Sequence, residues 1–204
     1  MFGVGLSAEV FSGVAVAMSM YSLWRTSLKR ADLRVFVSPL IRYASPYQNS
    51  VFEVFEIPLT VINEGAQTGT ILSFDLEVTS SQNGTSKLFY SAGLGPWSLA
   101  RVKGEGLTPF TPVSLTGRSS QSETILFYAR NDSRVMQIVE APAQYRFAIT
   151  PLTAQRRSLL RRNPKPLMFE MALPYLDHRA FTSGGGTLPL HKASWSGEKP
   201  AVAR

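Results

Sequence analysis

The sequence predicts an all-β protein, an antiparallel β-sandwich of about seven to nine strands, preceded by one N-terminal transmembrane helix. Three observations predict it. Beyond residue 31 apolar residues recur with a period of two. Clusters of Gly, Pro, Asn and Ser separate these runs. Ahead of them lies an apolar stretch with one charge, Glu9, between Phe2 and Trp24. Composition agrees with a folded chain: 44% of residues are hydrophobic, and the charged share of 17% is below the usual quarter. The absence of cysteine excludes disulfides, thiolate metal sites and thiol catalysis. A net charge of +7 favours anionic partners: lipid headgroups, nucleic acid or acidic proteins.

The first element is "EVFSGVAVAMSMYSLWRTSLKR", residues 9 to 30. As a helix, Phe2 to Trp24 covers roughly 34 Å, against about 30 Å of hydrocarbon in a bilayer. Tyr21 and Trp24 stand at the end that favours headgroups. A signal peptide carries its positive charge ahead of the apolar run; here Arg25, Lys29, Arg30 and Arg34 follow it. A soluble core helix would be interrupted by more polar residues than Ser12, Ser19 and Ser22. The stretch therefore reads as a membrane anchor contacting lipid, and the basic flank places the C-terminal bulk on the cytoplasmic side of a single-pass cell-membrane protein. Gly5, Glu9, Gly13 and Ala17 recur every four residues and share a helix face. Such a face admits close packing against a partner helix or a second copy; Glu9 alternatively sits one turn below the outer surface, where it snorkels or is protonated.

The strands follow in order. In "DLRVFVSPL", Leu33, Val35 and Val37 lie on one face. "VFEVFEIPLTVIN" puts Phe55, Ile57, Leu59 and Val61 together, with Pro58 requiring an edge or a bulge. In "TILSFDLEVTS", Leu72, Phe74, Leu76 and Val78 are expected inward and Ser73, Asp75 and Glu77 outward. Asn83-Gly84 marks a hairpin turn before "KLFYSA". "PVSLTG", "ETILFYAR", "QYRFAIT" and "PLMFEMAL" complete eight runs. "TAQRRSLLRRN" is the one segment outside the anchor suited to a short helix. The expected organisation is an anchor and basic flank over 1–30, a β-domain over 31–175 and a flexible tail over 176–204, in which Leu188, Leu190 and Trp195 form a possible docking segment.

"IPLTVINEGAQTGTILSFDLEV", residues 57 to 78, resembles the strand–turn–strand of immunoglobulin-like bacterial domains, including the cell-adhesion-related CARDB type. The likeness rests on a "V-x-N-x-G" piece, here Val61-Ile62-Asn63-Glu64-Gly65, which ends one strand before the next. The resemblance implies an immunoglobulin-like sandwich that mediates contacts and carries no catalytic centre.

The motifs point away from known catalytic arrangements. His178 and His191 lie in or beside the expected tail, and their spacing does not match a zinc site. Gly184-Gly185-Gly186 lacks the Lys-Ser/Thr of a phosphate-binding loop, and no G-x-S-x-G elbow occurs. No catalytic, metal or cofactor residue is expected. Glu53, Glu56, Asp75 and Glu77 are expected mainly on outward faces, paired across strands or solvated. The concentrated chemical feature is "QRRSLLRRNPKP", whose Arg156, Arg157, Arg161, Arg162 and Lys165 form either a solvated connector or an anionic-surface binding patch. Nucleic acid is disfavoured because aromatic stacking platforms are not interleaved there. The sequence thus predicts a membrane-anchored, non-catalytic interaction module that binds a protein partner, a second copy or the anionic membrane surface. The alternatives are a tethered enzyme with a carboxylate site in loops 43–50 or 91–109, and an accessory subunit of a larger membrane complex.

Overall fold

Alternating side chains become strands wherever one face meets a shared core, and here that core is the inside of a curled sheet. The computed structural model describes residues 4–44, 53–96, 108–130, 137–154, 166–173 and 187–195, with the backbone alone at 4–9, 187–189 and 191–195. The elements are α1 (Val4–Leu23), a π-helical turn (Trp24–Leu28), β1 (Leu33–Val37), β2 (Leu40–Ala44), β3 (Val54–Asn63), β4 (Gly69–Ser80), β5 (Ser86–Leu94), β6 (Thr108–Pro109), β7 (Val113–Leu115), β8 (Ser120–Ala129), β9 (Gln144–Thr153), β10 (Leu167–Ala172) and β11 (Thr187–Trp195). All eight runs expected from the sequence form strands; β2, β6 and β11 are additions.

Every strand pairing is antiparallel, and the pairings run in a ring: β4, β5, β8, β3, β2, β11, β10, β9 and back to β4. The sheet therefore curls into a nearly closed barrel, and the two facing layers of the expected sandwich are not seen. Period-two alternation is the same in a sandwich and a barrel, so the pattern fixed the strands and left their closure open. An eight-stranded ring has an interior that side chains can fill. Phe55 occupies the middle of it, with ring centres 4.8 Å from Tyr43, 4.9 Å from Phe89 and 5.3 Å from Phe147; Phe147 stacks on Phe169 at 5.2 Å.

Local irregularities shape the ring. Ile71 is buried and Leu72 is exposed, the reverse of the expected phase, because the β4–β9 register shifts between Ile71 and Ser73 and turns the strand over by one residue. Pro58 lies inside a strand paired on both edges, with β8 on one and β1 and β2 on the other. The break between β1 and β2 falls beside it, where Ser38 N donates to Pro58 O at 3.1 Å, so no ladder bond is asked of the nitrogen that has no hydrogen. Asn83-Gly84 does close the β4–β5 hairpin, with Gly84 taking the positive φ of 66°. β4 and β5 splay beyond that hairpin, and β6 and β7 enter the gap: β6 pairs with Gly93 and Leu94 of β5, and β7 with Gly69 to Ile71 of β4. Phe110 between them packs edge-on against Phe74.

Two further expectations change. Within the stretch expected to be a flexible tail, Thr187–Trp195 forms β11, the strand between β2 and β10, and Leu190 is fully buried. Among the described residues no helix is long and apolar enough to cross a membrane. This overturns the single-pass anchor, and with it the cell-membrane location and the cytoplasmic side assigned to the domain. Length and a basic flank suggested a span, but Val4–Leu23 is diluted by two glycines, four serines and Glu9.

Candidate functional site

Glu53 and Asn63 flank β3 at its two ends, about 33 Å apart at strand rise, and each is a fully buried polar hub. Asn63 organises the end that carries α1. Its Oδ1 accepts from Asp32 N at 3.1 Å and Gly65 N at 3.0 Å. Its Nδ2 donates to Gln67 O, Leu115 O and Thr116 O at 2.8, 3.2 and 3.0 Å. One amide thus ties together the chain entering β1, the β3–β4 turn and the end of β7.

The same turn grips the residues leaving α1. Ala66 N and Gln67 N donate to Lys29 O, Lys29 Nζ donates to Glu64 O, and Arg118 Nη2 donates to Arg25 O at 2.9 Å. Close packing requires glycine at two positions. A Cβ on Gly65 would stand 2.0 Å from Arg30 O, and one on Gly117 would stand 2.0 Å from Ala66 O. The V-x-N-x-G piece of the sequence is therefore the mount of the helix.

From that mount α1 presents apolar side chains on every side. Phe11 is 75% exposed, Met18 68% and Trp24 50%, and Val10, Val14, Val16, Met20, Tyr21 and Leu23 are exposed as well. A Cβ built on Gly13 meets nothing within 4 Å. A helix apolar all round ordinarily lies buried.

At the opposite end of β3, Glu53 Oε1 accepts from Tyr43 Oη and from Ile138 N at 2.8 Å, and Oε2 accepts from Lys87 Nζ at 2.6 Å. The Glu53–Lys87 pair is buried on both sides. Burial, then the charge of Glu53, raises the Tyr43 phenol well above its ordinary value. Burial likewise raises Tyr145, whose hydroxyl donates to Ala141 O. This cluster joins β2, β3, β5 and the segment before β9, so its observed contacts are those of a structural lock. A third feature is a shallow groove of about 470 Å³ on the outer face, lined by Phe36, Pro58, Thr60, Pro96, Ser122 and Glu123 among others.

The sequence-predicted residues separate clearly. Gly5 and Glu9 lie on the α1 backbone; Gly13 and Ala17 are on α1 and exposed. Arg156, Arg157, Arg161, Arg162 and Lys165 fall outside the described residues, as does His178; loops 43–50 and 91–109 are described only in part. Glu56 is nearly buried beside Arg42, Asp75 pairs with Arg130 at 2.8 Å, and Glu77 is exposed. Glu53 departs from its expected outward position. Its parity with Phe55 and Ile57, and that of Lys87 with Phe89, was the signal that it points inward. Among the described residues no three His, Asp or Glu side chains converge as a metal site requires.

The chain matches no family model and no curated protein. Among the solved structures similar to it are two bacterial proteins. The YcdA protein of Bacillus subtilis is 15% identical with a TM-score of 0.39; the similarity covers 76% of this chain and 41% of that one. The ApaA protein from Bordetella pertussis is 14% identical with a TM-score of 0.31, over 80% of this chain and 95% of that one. The chain thus spans less than half of the YcdA chain. Overlap this loose carries no argument about activity, and the resemblance to CARDB-type domains gains no family match.

Proposed function

We propose that the chain is a non-catalytic interaction module, in which a self-contained β-barrel holds an apolar helix in a set direction so that the helix engages a protein partner. The observation that carries this reading is the exposure of Phe11, Met18 and Trp24 on a helix anchored by Asn63, Lys29 and Arg118. Contiguous exposed apolar surface of this kind marks an association site. A role as an accessory subunit of a larger assembly is the same reading on a larger scale.

The test is purification of the full chain under non-denaturing conditions, alongside a Phe11→Ser/Met18→Ser/Trp24→Ser variant and a groove variant, Phe36→Asp. Partners that accompany the wild type and the groove variant, and are lost from the helix variant, support the proposal. Equal recovery with the helix variant overturns it.

A further inference from the structure

We propose that Asn83 is a site of spontaneous covalent modification, at which the folded β4–β5 hairpin deamidates itself with water as the only co-reactant. The chain has five asparagines, Asn49, Asn63, Asn83, Asn131 and Asn163, and of these Asn83 alone is followed by glycine. An asparagine deamidates when the next backbone nitrogen reaches its side-chain carbonyl carbon. A glycine in that place offers the nitrogen with no Cβ to shield it.

The turn supplies the geometry. Asn83 and Gly84 are both exposed, and Asn83 Oδ1 accepts from Thr85 N at 3.0 Å. This Asx turn lays the carboxamide alongside the peptide that it spans, so that Cγ stands beside Gly84 N. The Thr85 N–H also polarises the carbonyl and stabilises the negative charge that attack places on Oδ1. Gly84 holds a φ of 66°, and a Cβ built on it meets nothing within 4 Å. Its nitrogen donates to Ser80 O at 3.0 Å, a bond at the exposed hairpin tip that opens before attack. Asn63 is the internal control. Its Oδ1 makes the same kind of turn, accepting from Gly65 N at 3.0 Å. Yet Asn63 is fully buried, Glu64 follows it, and its Nδ2 donates to three carbonyls. The leaving amide is locked there, whereas Asn83 lies in solvent.

In the reaction, Gly84 N gives its proton to a solvent base and bonds to Asn83 Cγ. The Cγ–Nδ2 bond breaks, and the nitrogen takes a proton from solvent and leaves as ammonia. The cyclic imide then adds water at either carbonyl, which yields aspartate or isoaspartate at 83. One water is consumed and one ammonia released, with no change of oxidation state. The turn gains a negative charge. The isoaspartate also adds one atom to the main chain of the hairpin that sets Val78 opposite Lys87.

The test incubates the full chain in mildly alkaline buffer, folded or in urea, and maps its peptides by mass spectrometry after digestion under acidic conditions. In the folded chain Asn83 should convert at least about tenfold faster than Asn63, whose buried bonds must first break. Its rate should stay close to that in urea, and chromatography should resolve both aspartate and isoaspartate. Gly84→Ala strains the positive φ and shields the nitrogen, so conversion should slow about tenfold. Conversion in urea with none in the folded chain overturns the proposal, because the turn then protects Asn83. Equal rates at Asn63 and Asn83 in the folded chain, an unchanged rate in Gly84→Ala, or aspartate as the sole product each overturn it as well.

Discussion

Phe55 and Phe11 are the same residue type in opposite circumstances. Phe55 is fully buried and in ring contact with Tyr43, Phe89 and Phe147, whereas Phe11 is three-quarters exposed on α1. The barrel disposes of its apolar surface internally, and its buried side-chain polar atoms all find partners among the described residues. α1 does neither. The difference separates the part that carries stability from the part that we propose carries association, and Asn63 ties the chain between them to the barrel.

The comparison breaks most sharply at the two phenylalanines. Phe55→Ala should lower unfolding free energy by about 3–5 kcal/mol in urea titration, while Phe11→Ala should stay within about 0.5 kcal/mol; similar losses at both sites would mean that α1 is part of the fold. Lys87→Met leaves the Glu53 carboxylate buried without its cation, and about 3 kcal/mol should be lost in the same titration. Asn63→Ala strands buried backbone donors and acceptors, at about 1–3 kcal/mol for a group left unsatisfied. Its signature is faster amide exchange at Asp32 and Gly65, with Ile138 at the far end unaffected.

Tyr43→Phe has a smaller effect, about 1 kcal/mol at neutral pH, and a distinctive pH dependence. The folded state holds the phenolic proton more tightly than the unfolded state, whose phenol titrates near 10.0. The contribution is complete below about pH 10 and is lost as pH rises from there towards the folded value. Alkaline unfolding of the Tyr43→Phe variant should therefore show a shallower pH slope above 10; an unchanged slope would remove Tyr43 from the lock. Gly13→Leu should leave urea unfolding untouched, since its added side chain meets nothing in its own chain, yet weaken association.

Much of the barrel was legible because burial on one face imposes a period of two, and every run with that pattern became a strand. The missing strands have physical reasons. β2 is five residues behind Ser38-Pro39, β6 is two residues long, and β11 contains Pro189 in a Gly-rich neighbourhood. Closure into a ring depends on long-range partners such as β2 with β11, which no local pattern encodes. Asn63 and Gly65 were visible as a turn signal, but their grip on Lys29 and Arg30 arises only when the helix exit folds back over that turn. Glu53 was misplaced because its charge was given more weight than its parity with Phe55, although a buried cation on β5 was there to receive it. The apolar character of α1 was evident from composition, and what covers it depends on association.

Purification of the full chain under non-denaturing conditions tests the separation of roles most directly, comparing it with a Phe11→Ser/Met18→Ser/Met20→Ser variant whose β-sheet circular dichroism is recorded alongside. The account predicts a protein partner that accompanies the native chain and is lost from a variant that keeps its β-sheet signal. Equal recovery of partners, or loss of the β-sheet signal with the three helix substitutions, would contradict it.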